Sequence, residues 1–376
     1  MKKRIAFLST MDEYPWGGSE ELWSRTALRL LQDGYRGAVW AKRWPKPGVR
    51  FDELQGLGCE IHWREYKGSS LARRVLRRLH ILPLPQERRF QWLTSFQPDL
   101  IVVSLGFQGD VRNFGSEWEG WNCPHVVIVQ AVTESIWPRD PELDAASRFF
   151  QAAEACYFVA ENNRTLVETL FGCSLPKARI VRNPFNVRYD ASPPWPGAEE
   201  DIRLACVARL DANAKGQDLV LQLLRSPKWK QRKVSVSFFG SGYRGRSLTK
   251  FAELHRLSNV EFMGFEPDVE RIWSRHHALL LPSRYEGLPL ALVEAMLCGR
   301  MGIVTDVAGN AELVHDNETG FVAAAPTVPL LDEAMERAWS RRREWRQMGQ
   351  LAARRVREQV SPDPVGDFVT ELKRFL

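Results

Sequence analysis

Two parallel α/β domains in tandem, each doubly wound and the pair facing a central cleft, are predicted by three features of the 376-residue sequence. Short β-branched runs alternate with helical patterns along most of the chain, which is the signature of parallel α/β layers. The alternation breaks once, at "DASPPWPGAEED" (190–201), where Pro, Gly and acid crowd together as they do at a boundary. The chain also exceeds the size that one hydrophobic core serves. The expected domains are residues 1–188 and 189–360. The Pro-opened segment "SPDPVGDFVTELKRFL" (361–376) is a candidate helix crossing back to the first domain.

The first series of strand candidates is "RIAFLS" (4–9), "GAVWA" (37–41), "CEIHW" (59–63), "DLIVVS" (99–104), "HVVIVQ" (125–130) and "ACYFVA" (155–160). The second is "IRLACVA" (202–208), "VSVSFF" (234–239), "NVEFM" (259–263), "ALLLP" (278–282), "MGIVT" (301–305) and "GFVAA" (320–324). Open parallel sheets bind ligands beyond the carboxyl ends of their strands, so loops that follow strands carry the most weight.

The first such loop, "STMDEYPWGGSEELWSRTALRLLQDG", places Gly17-Gly18 before Ser19, a good N-cap, with Glu20 and Glu21 in the first turn. Two glycines at a helix N-terminus let the backbone approach an anion. The loop "VARLDANAKGQD" after the first strand of the second domain carries Arg209 and Lys215. Two cations at the carboxyl edge of a sheet are what a diphosphate requires. "FFGSGYRG" (238–245) has the G-x-G-x-x-G spacing of a dinucleotide fingerprint. It follows the second strand of its domain, however, so it reads as a turn or a phosphate-proximal loop before an NAD site.

"PSRYEGLPLALVEAMLCGR" (282–300) is a loop followed by a helix that Pro289 opens and Gly299 closes. Glu286 lies in the loop. Glu294 lies inside an otherwise apolar helix, where a carboxylate costs several kcal/mol unless something hydrogen-bonds it. Vicinal sugar hydroxyls are good partners for such a group.

Together these residues resemble the retaining glycosyltransferases of family 4, which have the two-Rossmann GT-B fold. The resemblance rests on the Glu, seven residues, Glu pattern in "PSRYEGLPLALVEAMLCGRMGIVTDVAGNAELV" (282–314). It also rests on the Arg…Lys-Gly loop, on Gly264-Phe265 after the third strand of the second domain, and on the N-terminal Gly-Gly loop. It is specific over about 200–325 and thinner over 1–190. It implies that Arg209 and Lys215 grip the donor diphosphate, that Glu294 binds the nucleotide ribose, and that Glu286 binds hydroxyls of the transferred sugar. Backbone amides of Gly287 and Leu288, and of Gly17 and Gly18, meet phosphate or sugar oxygens. Gly264 and Phe265 lie near the base. The implied activity is transfer of a sugar from a UDP- or GDP-sugar to a glycan or lipid-linked acceptor of a bacterial surface polysaccharide or glycolipid. It needs no catalytic metal and no cofactor, in keeping with the lack of an Asp-x-Asp motif. One position departs from the pattern. Many relatives have His after the fifth N-domain strand, and here Gln130 stands there. An amide can orient a sugar or acceptor hydroxyl but is no general base. A nucleotide-sugar epimerase, an NAD-dependent oxidoreductase or a non-catalytic sugar-nucleotide binder on a similar scaffold are the competing readings.

The net charge is +6, and residues 64–89 alone hold eight Lys/Arg against two Glu. The excess is therefore one patch, including Arg73, Arg74, Arg77 and Arg78 on a basic amphipathic pattern, which suits an anionic membrane surface. No module that reads nucleic acid is visible. The six cysteines form no C-x-x-C pair and no zinc pattern, and read as reduced thiols of a cytoplasmic protein. There is no signal peptide pattern, and no run reaches the roughly 18 apolar residues of a spanning helix. The expected location is the cytoplasm, or the inner face of the cytoplasmic membrane as a peripheral protein.

Overall fold

A computed structural model describes residues 2–46, 48–64, 89–197 and 201–376. The basic stretch with Arg73, Arg74, Arg77 and Arg78 lies outside the described residues.

The chain forms two wholly parallel sheets. The first contains β1 (Arg4–Ser9), β2 (Arg36–Lys42), β3 (Glu60–Arg64), β4 (Leu100–Leu105), β5 (His125–Val129), β6 (Ala155–Phe158) and β7 (Ala178–Ile180), in the order β3-β2-β1-β4-β5-β6-β7. The second contains β8 (Ile202–Val207), β9 (Val234–Phe239), β10 (Val260–Gly264), β11 (Ala278–Leu281), β12 (Met301–Thr305) and β13 (Gly320–Ala323), in the order β10-β9-β8-β11-β12-β13. Strand order reverses between β1 and β4 and again between β8 and β11. Those two switch points are where such sheets open a crevice, and the two crevices face each other. Central strands are buried on both faces, β4, β5 and β12 at every residue, which is why they read as unbroken apolar runs rather than alternating ones.

Two local readings are corrected. The first helix, Gly18–Gln32, starts one residue before Ser19, and its N-cap is Gly17 in extended conformation, with no side-chain cap bond. A Cβ at Gly18 would stand 2.9 Å from Leu290 Cδ1, so this turn lies against a side-chain tip of the second domain. The helix after the Glu286 loop has eight residues, Leu290–Leu297, and Pro289 is its N-cap rather than its first helical residue. β7 has no strand-like sequence signature because it is a three-residue, exposed edge.

The closing helix, Pro364–Lys373, packs on the first domain. Val365, Phe368, Val369 and Leu372 join a core cluster with Ile5, Phe7, Leu22 and Trp23. Arg29 reaches Asp363 at 2.6 Å and Lys373 reaches Asp33 at 2.8 Å beside it. Arg300 is buried and has no carboxylate partner among the described residues. Its guanidinium instead donates to the carbonyls of Trp273, His276, Cys298 and Pro194 at 2.7–3.0 Å, tying the interdomain segment to the second domain. None of the six cysteines is disulfide-bonded. No helix among the described residues is long and apolar enough to cross a membrane.

Candidate active site

A cavity of about 510 Å³ lies between the domains, lined by the loops after β1, β4 and β5 on one side and after β8 and β11 on the other. Arg209, Lys215, Glu286, Gly287, Leu288, Gly17, Gly18 and Gln130 all line it.

On the second-domain side, local sequence explains the geometry. Gly216 has φ +65, and a Cβ there would stand 2.0 Å from the Pro282 carbonyl oxygen. The Lys-Gly step is therefore what lets the Lys215 loop lie against the Glu286 loop. Arg284 bolts the two together, donating to both carboxylate oxygens of Asp218 at 2.7 and 2.8 Å and to the Ala212 carbonyl at 2.6 Å. Lys215 Nζ then donates to Glu286 Oε2 at 2.6 Å, and Ser283 Oγ donates to Glu286 Oε1 at 2.7 Å. Glu286 is only 6% exposed. A buried, paired and doubly hydrogen-bonded carboxylate of this kind is fixed in place.

Gly240 and Gly242 press on the backbone of residues 208–210. Added Cβ atoms would stand 2.2 Å from the Ala208 oxygen and 2.5 Å from the Leu210 oxygen. The G-x-G-x-x-G run therefore packs against the Arg209 loop.

Arg209 is held from across the cleft. The Tyr14 ring lies 3.3 Å from its guanidinium carbon, and its Nε is buried without a partner among the described residues. The Tyr14 hydroxyl donates to Asp211 Oδ2 at 2.8 Å, and its ring stacks on Tyr243 at 5.8 Å. Arg244 pairs with the same aspartate. Burial pushes the Tyr14 phenol well above the ordinary tyrosine range, so it stays a neutral donor.

Gln130 and Asn183 form a buried amide pair, 4% and 8% exposed, with Asn183 Nδ2 donating to Gln130 Oε1 at 2.8 Å. Gln130 Nε2 and Asn183 Oδ1 have no partner among the described residues, and both residues line the cavity. The pair thus keeps one donor and one acceptor unused whichever way the two amides are turned, although both atoms are covered by protein in this structure. The Gln130 backbone also meets Gly287, where an added Cβ would stand 1.9 Å from the Gln130 oxygen.

Glu294 lies below this cavity and does not line it. Its Oε1 accepts from the Asn186 backbone N–H at 2.9 Å and from Asn186 Nδ2 at 3.0 Å, in the segment that joins the domains. Burial pushes its carboxyl up to about 7 against the pull of those bonds. Gly264 and Phe265 end β10 at the sheet edge, outside the cavity lining, with Phe265 77% exposed. Tyr14, Asn183, Asn186 and Asp110 had no signal in the sequence. Each gains its place only when distant segments meet.

Among the described residues no group of three or more His, Cys, Asp and Glu side chains is placed to hold a metal ion.

The two-sheet architecture with a cleft at both switch points defines a GT-B glycosyltransferase fold. Residues 201–341 match the family model "Glycosyl transferases group 1". The glycogen synthase of Granulibacter bethesdensis is 33% identical over 128 residues, 33% of this chain and 26% of that protein. That of Deinococcus radiodurans is 33% identical over 144 residues, 38% of this chain and 31% of that protein. The chain thus spans under a third of the length of these curated relatives. Over whole chains, the Anabaena protein HepE, solved with UDP-glucose, superposes with a TM-score of 0.73 at 16% identity, covering 99% of this chain and 100% of that one.

Proposed function

We propose that this protein is a retaining, metal-independent glycosyltransferase that moves a sugar from a UDP- or GDP-sugar to a glycan or lipid-linked acceptor. One observation carries the reading: Arg209, Lys215 and Glu286 converge on a single interdomain cavity, with the Gly17-Gly18 turn opposite. Two cations beside a fixed carboxylate suit a donor whose diphosphate and sugar lie end to end. HepE, crystallised with UDP-glucose, supports UDP-glucose as the first donor to test.

The roles follow from the chemistry of each group. Arg209 and Lys215 stabilise the charge that grows on the leaving diphosphate. Glu286 accepts from hydroxyls of the transferred sugar, and Glu294, freed from Asn186, accepts from the ribose. The acceptor hydroxyl oxygen bonds to the anomeric carbon on the face from which the diphosphate departs. The C–O bond to phosphate breaks, and the acceptor proton passes to the departing phosphate oxygen. Configuration is retained, and the chain acts by positioning and electrostatics.

Differential scanning fluorimetry with UDP, GDP and NAD, followed by turnover of labelled UDP-glucose and GDP-mannose, tests this. Stabilisation by UDP or GDP with a product of retained anomeric configuration is expected. Stabilisation by NAD alone would transfer the case to an oxidoreductase, and nucleotide binding without turnover would leave a binding protein. The concentration of basic charge in residues 64–89 supports docking of the first domain on anionic membrane, where a lipid-linked acceptor is found. Co-sedimentation with anionic liposomes that is unchanged by four Arg→Ser substitutions at 73, 74, 77 and 78 would defeat that part.

A further inference from the structure

The first-domain wall of the cavity holds a carboxylate that the donor-side reading does not use. Asp110 is buried yet lines the cavity, in the short 3-10 turn Gln108–Asn113 after β4. Its Oδ2 accepts from Thr10 Oγ1 at 2.7 Å and from the Phe107 N–H at 3.3 Å. Among the described residues its Oδ1 accepts no hydrogen bond. One oxygen is therefore fixed by the protein while the other is left for a ligand. Burial raises the carboxyl to about 6 despite those bonds.

The same turn carries an apolar rim. Gln108 Nε2 donates to the Thr133 carbonyl at 2.7 Å and to the Ile136 carbonyl at 3.3 Å, and Thr133 N donates back to Gln108 Oε1 at 3.2 Å. The turn and the loop 131–137 are thus one unit. Ile136 lines the cavity, and its neighbour Trp137 is 63% exposed. Trp137 does not line the cavity but follows Ile136, which does, and a large indole left in water is unusual for a packing residue. A carboxylate acceptor in the cavity, with an exposed aromatic one residue beyond the cavity lining, matches the two surfaces of a pyranose, whose edge carries hydroxyls and whose face carries C–H groups.

We propose that Asp110 and Trp137 form the acceptor subsite and that its ligand class is a carbohydrate. Asp110 Oδ1 accepts from the sugar hydroxyl, and the Trp137 indole covers the sugar face. Asp110 is here a positioning residue for the acceptor. The inference rests on the glycosyltransferase reading above but is separable from it, because Arg209, Lys215 and Glu286, which carry the donor reading, lie on the other domain.

The test uses the full chain, with a panel of p-nitrophenyl monosaccharides as acceptors and the best wild-type acceptor taken forward. Asp110→Asn keeps an oxygen for Thr10 and Phe107 but removes the charge. It is expected to lower kcat/KM for that acceptor about 100-fold, as loss of a hydrogen bond to a charged group does. Trp137→Ala is expected to raise the acceptor KM about tenfold with little change in kcat. Calorimetric affinity for UDP is expected to stay within twofold in both. Transfer by Asp110→Asn within threefold of wild type overturns the assignment, as does a parallel loss of UDP affinity. A wild type that turns over a donor but accepts no member of the panel overturns the carbohydrate class. A wild type that binds no nucleotide defeats the glycosyltransferase reading itself.

Discussion

Replacing Glu294 with Gln is expected to make the protein more stable and a weaker nucleotide binder at once. The glutamine carbonyl can still accept from Asn186 N–H and Nδ2, which now hold Oε1 at 2.9 and 3.0 Å. The buried charge is gone. The Glu294 carboxyl moves from an ordinary 4.5 to about 7 on folding. In a raised carboxyl the unfolded chain ionises first, so stability falls as pH rises from 4.5 to 7 and stays reduced above that. At 1.36 kcal/mol per pH unit, the ionised group costs the fold about 3 kcal/mol at pH 8 and under about 1 kcal/mol at pH 5. Glutamine imitates the protonated form and avoids that cost. For a domain of this size the gain at pH 8 corresponds to a Tm rise of roughly 8 °C, shrinking to about 2 °C at pH 5. Glu20 and Asp110, raised by burial to about 7 and about 6, are common to both proteins and cancel in the comparison. If Glu294 also accepts from ribose hydroxyls, calorimetry should show UDP binding weakened 10- to 100-fold. Paired melts at pH 5 and pH 8 and a UDP titration make the assay. Equal destabilisation at both pH values would refute the electrostatic argument. An unchanged UDP affinity would refute the ribose role.

Lys215→Ala strips the cation from Glu286 and, on the proposed mechanism, from the leaving diphosphate. A fall in kcat/KM of at least about 1,000-fold with an unchanged circular dichroism spectrum is expected, and near-normal transfer would contradict it. Gly287→Ala sets a methyl group 1.9 Å from the Gln130 oxygen and 2.6 Å from Val159 Cγ2. The domains must part to admit it, so small-angle scattering should show a wider particle and turnover should fall more than about 100-fold. Tyr14→Phe loses the bond to Asp211 but keeps the ring on Arg209, and should cost about 1 kcal/mol of stability. Tyr14→Leu removes the cation–π contact as well and should weaken UDP binding about tenfold in calorimetry. Equal UDP affinities for the Phe and Leu variants would show that the ring does not orient Arg209.

Much of the fold was legible because parallel strands buried on both faces leave a plain signal. "HVVIVQ" and "MGIVT" announce themselves without reference to anything else. β7 was missed because a short exposed edge has no apolar run. The Ser19 cap was misplaced because the helix begins at Gly18 with Gly17 as its N-cap, and a Gly-Gly step there has no side chain to mark it. In the candidate site, Arg209, Lys215 and Glu286 were legible because each follows a strand of the second sheet, at the end where ligands bind. Tyr14, Asn183 and Asp110 were not, because nothing in "MDEYPW", "RNPFN" or "FQGD" says which residue faces the other domain.

What the sequence determined by itself is therefore the periodic part: two tandem parallel α/β domains, the loops that carry charge, and the Glu286–Glu294 spacing. The tertiary structure decided how those loops meet. Lys215 lies on Glu286 because Gly216 can take φ +65 against the Pro282 carbonyl. Arg209 points into the cleft under a tyrosine from the other domain. Glu294 is held at rest by Asn186 and not by the cavity. Periodicity is a local property that neighbouring residues impose on one another. A contact between segments a hundred or more residues apart depends on packing and backbone clearance, which no local pattern records.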